Sequence, residues 1–176
     1  MAAGITRPML NALLDAGEIE RLGRGHYRLV VQPDLELPDL TEVSLRAPRS
    51  VICLISALDF HALTTEIPHA VHFAIPRGAR APHIDHPPTR PYWFGPRSYG
   101  LGIEEHIVDG VSIRVYDMEK TIVDCFQFRN RIGKALAVEA LREYRARRGI
   151  DAGKFSRYAV ACRVQNVITP YIEALI

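Results

Sequence analysis

No apolar run in the chain approaches the about eighteen residues that a membrane-spanning helix needs, and the opening residues, MAAGITRP, show no charged-then-apolar leader. The expectation is a cytoplasmic protein that spans no membrane. Cysteine is scarce: Cys53, Cys125 and Cys162 are far apart, odd in number and set among apolar residues, with no C-x-x-C or C-x-x-H pair. They read as buried thiols and argue against a thiolate zinc site. A glycine-rich phosphate loop, a P-loop lysine and the G-x-S-x-G elbow are also missing, which leaves no motif for covalent catalysis. There is no repeat and no low-complexity tract, and no cofactor is expected.

What remains is an ordinary globular composition, 48% apolar and 24% charged over 176 residues, enough for one domain or a small module plus one domain. The net charge of +2 hides an uneven distribution. Residues 34–128 carry an acidic excess, whereas residues 129–163 hold ten Lys or Arg against Glu139, Glu143 and Asp151. That basic segment, with Arg129, Arg131, Lys134, Arg142, Arg145, Arg147 and Arg148 at its centre, suits an anionic partner or is a solvated helix face. Its last three arginines also complement a helix C-terminus without any partner.

The densest stretch is Gly4 to Leu29. Met9, Leu10, Leu13 and Leu14 form one stripe of a helix over 6–16, with Thr6 as N-cap, Pro8 in the first turn and Gly17 at the left-handed stop. Arg7, Asn11 and Asp15 lie on the other face. Residues 18–22 and 26–31 read as two short strands around Gly23-Arg24-Gly25, with Arg21, Arg24, His26 and Arg28 near the turn. A helix offering Arg and Asn to base edges, followed by a basic hairpin for phosphates, is the physical logic of a winged helix-turn-helix. The bland alternative is a helix-hairpin unit with solvated arginines.

Residues 32–40, QPDLELPDL, read as a linker. A short helix is expected over 41–47, then an apolar helix, VICLISALDFHAL, opened by Ser50. Strands follow at 72–75 and 92–94 around a Pro- and Arg-rich loop, and at 103–108 and 111–116 around Asp109-Gly110, a type I′ turn signal. Asp117 caps a helix over 118–128, Lys134 to Arg148 form another with a Glu143–Arg147 pair, and residues 151–164 and 169–176 complete a helical C-terminal third. This order gives an α+β body with a small antiparallel sheet and C-terminal helices.

His69, His72, His83, Asp85 and His86 form a ligand-like cluster whose spacings allow, without demanding, the metal of a hydrolase or nuclease. His69 to His72 enters a strand, whose alternation splays the pair, and no metal is expected. Asp109, Asp117, Glu119 and Lys120 miss the acid-x-Lys step of a nuclease because Met118 occupies the needed position. His61 reads as a core or boundary histidine.

Three ordered segments, ERLGRGHYRL, SALDFHALTTEIPHAVHFAIPRGARAP and DGVSIRVYDMEKTIVDCFQFRNRIG, resemble the AbiEi-like antitoxins of type IV toxin–antitoxin systems. Met118-Glu119-Lys120-Thr121 stands where relatives often have Pro-Glu-Arg-Thr. The resemblance implies a partial winged-helix reader at 1–31, in which two helices usual before the recognition helix are absent, a linker at 32–40 and an antitoxin domain at 41–176. It further implies a non-enzymatic autorepressor that binds its own operator DNA and counters a nucleotidyltransferase-type toxin. Thr6, Arg7, Asn11, Arg21, Arg24, His26 and Arg28 would then touch DNA, the basic segment would face the toxin or a second stretch of DNA, and a homodimer would engage two half-sites.

Overall fold

The computed structural model describes residues 6–23, 25–30 and 36–175, and of Leu22 and Arg28 the backbone alone. Arg24 and residues 32–35 of the expected linker lie outside the described residues. The chain divides into two compact units, Met1–Pro38 and Asp39–Ile176.

The first unit is helix α1 (Arg7–Asp15) followed by the antiparallel strands β1 (Ile19–Gly23) and β2 (His26–Leu29). Thr6 precedes α1 in extended backbone, and Pro8 sits in the first turn where no helical hydrogen bond is lost. The stop is a Schellman turn: Glu18 N–H donates to Leu13 O, Gly17 N–H donates to Leu14 O, and Gly17 takes φ +67°. The sequence therefore sends the chain directly from helix into hairpin. The hairpin register shifts between Arg21 and Gly23, so the strand end is bulged.

The second unit opens with α2 (Pro38–Arg46), which begins inside the stretch expected to be linker because Pro38 starts the helix and Asp39 favours its first turn. The apolar run after Ser50 is not one helix but strand β3 (Val51–Ile52) and then α3 (Leu54–Phe60), divided at Leu54, whose φ of +49° no α-helix continues through. Periodicity cannot separate these outcomes in a run that is apolar on every side. Val51 and Ile52 occupy the middle of a five-stranded sheet and are buried, as a central strand requires.

That sheet is completed by β4 (Val71–Pro76), β5 (Thr89–Phe94), β6 (Ile103–Val108) and β7 (Val111–Tyr116), in the order β5-β4-β3-β7-β6. It is mixed, not purely antiparallel as expected. β4 runs parallel to β5, the loop over 77–88 serving as the crossover, and β3 runs parallel to β7. The β6–β7 hairpin forms in the expected register, with Asp109 at φ +51° and Gly110 at φ +79°, the positive values a type I′ turn demands.

Helices α4 (Pro96–Tyr99), α5 (Met118–Gln127), α6 (Arg129–Ile132), α7 (Lys134–Arg148), α8 (Ala152–Ala161) and α9 (Gln165–Glu173) account for the rest. α5 is the hub. Ile122, Val123, Cys125 and Phe126 are fully buried in a cluster that also takes in Leu58 of α3, Leu141 of α7 and Phe155 of α8. Gly149 ends α7 at φ +76°. Among the described residues no helix is long and apolar enough to cross a membrane.

Candidate nucleic-acid interface

Thr6, Arg7 and Asn11 are all exposed, and Arg7 and Asn11 are one helical turn apart, so they share a face of α1. An Arg fork matches the acceptor edge of guanine, and an Asn amide matches the paired donor and acceptor of adenine. The hairpin that follows carries Arg21, exposed, with Nε donating to Gly23 O at 3.2 Å, and His26, half-buried. The backbone of Arg28 pairs opposite Glu20. The apolar stripe of α1 is only partly covered: Leu10, Leu13 and Leu14 are half-buried, and Met9 is 55% exposed.

The basic segment of the body does not form one patch. Lys134 and Arg148 are the two ends of α7, which at the usual helical rise places them about 20 Å apart. At the near end, Arg129 donates to Phe126 O at 2.9 Å, Arg131 lies 6.0 Å from the Tyr92 and Phe128 rings, and Lys134 lies 6.0 Å from the Tyr171 ring. At the far end Arg147 pairs with Glu143 at 2.8 Å. Arg142, Arg145 and Arg148 are exposed at three-residue spacing and so follow one side of the helix.

A polar network around the first turn of α5 went largely unread in the sequence. Asp117 caps the helix, its Oδ1 accepting from Lys120 N–H at 2.7 Å, while Oδ2 accepts from the Tyr158 hydroxyl at 2.7 Å and meets Lys154 Nζ at 3.1 Å. Glu119 accepts from Tyr144 at 2.7 Å and from Lys154 at 2.6 Å. Burial opposes the Glu119 carboxylate, yet the bonds from Lys154 and Tyr144 outweigh it and hold its pKa below the ordinary value. Burial likewise opposes the Lys154 ammonium, and its bonds to Glu119 and Asp117 carry its pKa above the usual lysine value. Tyr158 is pushed up to about 12 by burial and by its bond to Asp117. These groups tie α5 to α7 and α8.

Deeper still, Lys120 and Asp124 are both 0% exposed, with Nζ at 2.6 Å from each carboxylate oxygen and 4.2 Å from the centre of the Tyr116 ring. Burial is the larger influence on Asp124 and raises its pKa to about 6 in spite of the adjacent ammonium. The i,i+4 spacing of the pair was visible in the sequence. Its complete burial was not. The three cysteines are free and buried; burial drives Cys53 and Cys125 well above the ordinary thiol value and Cys162 to about 12, so none is a ready thiolate.

The histidine cluster is dispersed. His72 lies inside β4, 3% exposed, whereas His69, His83, Asp85 and His86 are exposed, with His83 and Asp85 paired at 2.9 Å. Among the described residues no three His, Cys, Asp or Glu side chains come together as a metal would need. His61 instead donates from Nε2 to Tyr116 O at 2.7 Å.

His72 supplies a pH signature. Among the described residues its Nδ1 has no hydrogen-bond partner, and burial, helped by the Arg90 charge, lowers its pKa to about 4. A histidine held neutral stabilises the fold fully above the unfolded pKa of about 6.5, and that contribution is lost as pH falls towards about 4. After allowance for solvent screening, the wild type should lose about 2 kcal/mol more than His72→Phe between pH 7 and pH 4.5. Denaturant titrations at both pH values check this, and equal losses in the two proteins contradict it.

Residues 1–30 match the family described as "Transcriptional regulator, AbiEi antitoxin", so the expected resemblance is found over the α1 and β1–β2 segment. No curated protein matches the chain.

Proposed function

We propose that the chain is a non-enzymatic antitoxin and transcriptional autorepressor of a type IV toxin–antitoxin operon. In this reading residues 1–31 are the recognition helix and wing of a winged helix-turn-helix, and the body that opens with α2, joined to them by the segment before it, is the antitoxin domain. The observation that carries it is the match of residues 1–30 to a transcriptional regulator and antitoxin family, falling on a helix with Arg7 and Asn11 exposed on one face. Arg7 and Asn11 read base edges, Thr6 meets a phosphate, and Arg21, Arg24, His26 and Arg28 hold the backbone from the hairpin.

The test is a fluorescence titration of promoter DNA from its own operon at several salt concentrations. Arg24→Ala should weaken binding to every duplex and reduce the slope of log K against log salt by about 1, whereas Asn11→Ala should change sequence preference. A full chain with no affinity for duplex DNA removes the reader from the proposal.

The partner is a nucleotidyltransferase-type toxin, and Arg142 and Arg145, exposed on one side of α7, are its docking cations. Charge reversal at both should reduce rescue from the toxin on co-expression. Unchanged rescue rules this surface out. A second reading, an antitoxin domain that does not bind DNA, is favoured by the incomplete burial of the apolar stripe of α1, since a reading helix normally packs that stripe fully against its own module.

A further inference from the structure

Arg77, Arg97 and Arg163 line one cleft of about 270 Å3 in the body. They arrive from three segments: Arg77 directly after β4, Arg97 in α4 directly after β5, and Arg163 in the turn that ends α8. β4 and β5 are parallel neighbours, so the first two stand at adjacent strand carboxyl ends, where open sheets with parallel strands place their ligands. All three arginines are exposed, and among the described residues none has an ion pair or a side-chain hydrogen bond. Arg147, by contrast, pairs with Glu143. No Asp or Glu lines the cleft.

The side-chain oxygen of Gln127, also in the lining, is buried and has no hydrogen-bond partner among the described residues. The lining thus holds three arginines and no carboxylate to repel an anion. Guanidinium forks match the paired oxygens of phosphate.

We infer that this cleft binds a small phosphate-bearing anion of the pyrophosphate or nucleoside-diphosphate class. A concavity lined from separate segments suits a compact anion, whereas a nucleic-acid backbone calls for cations strung along a stripe. The inference concerns the body alone and is independent of the DNA reading.

Calorimetric titration of the full chain with inorganic pyrophosphate and with ADP tests it. One saturable site is expected, weakened about tenfold by each of Arg77→Gln, Arg97→Gln and Arg163→Gly. Arg163→Gly is the informative variant. Arg163 takes φ +58°, a conformation glycine adopts without strain, so the variant should keep or gain thermal stability while losing affinity. A loss of affinity through damage to the fold would lower the melting temperature as well. The proposal is overturned by an absence of saturation in the millimolar range, by undiminished binding in the triple variant, or by binding confined to oligonucleotides and growing with their length.

Discussion

Lys120→Met should destabilise the protein by about 1 kcal/mol more at pH 7 than at pH 5. Without the ammonium, Asp124 is left fully buried with the Cys162 thiol as its remaining hydrogen-bond partner, at 3.5 Å. It then folds as the neutral acid. The wild-type carboxyl is itself raised to about 6, so the loss relative to the wild type is that of keeping the acid neutral above that value, and it grows with each pH unit beyond it. The sign follows from proton counting: the folded variant holds a proton that the unfolded chain releases, so stability falls as pH rises. Lys120→Met combined with Asp124→Leu should recover most of the loss, because a buried pair replaced by apolar groups of similar size leaves no charge behind. Urea unfolding of the wild type, the single variant and the double variant at both pH values decides the matter. A single variant equally damaged at pH 5 and pH 7 would show that packing against Tyr116 and Phe94, not the charge, is what Lys120 supplies.

Gly102→Ala should cost about 2–4 kcal/mol, well beyond what its backbone angle alone requires. Gly102 has φ +68°, and a Cβ placed there would stand 2.8 Å from Lys120 Cβ, 3.0 Å from Asp117 Oδ2 and 3.1 Å from the Tyr158 hydroxyl. Lys120 Cβ is fixed by its helix and cannot give way. Gly102 O also accepts from Asp117 N–H, so a displaced Gly102 disturbs the cap of α5. Gly110→Ala is the control: φ is +79° but nothing lies within 4 Å, so only conformational strain remains, about 1 kcal/mol. Thermal unfolding of both variants separates crowding from strain, and equal losses would contradict the close approach.

The parts of the fold legible in the sequence are those whose causes are local. Asp109-Gly110 sets its hairpin because both turn residues tolerate positive φ, and Lys134 to Arg148 declares its helix through its apolar spacing and its glycine stop. The run after Ser50 was illegible for the opposite reason. Val51 and Ile52 are strand only because β4 and β7 pair with them from 20 and more residues away, and no local period records that. The network at α5 divides the same way. The Asp117 cap is three residues from its donor, while Tyr144, Lys154 and Tyr158 come from 25 to 41 residues downstream. The basic segment shows the converse hazard, since charges that crowd together in sequence stand at opposite ends of α7.

We propose that the unit beginning with α1 reads DNA through one helical face. Footprinting of the promoter region of its own operon with the full chain tests it most directly, comparing the wild type with Arg7→Ala/Asn11→Ala. Both residues are exposed, so the variant should melt at the wild-type temperature. The account predicts a discrete protected site that the variant loses, and a promoter left unprotected by the wild type, or protected equally by both proteins, would contradict it.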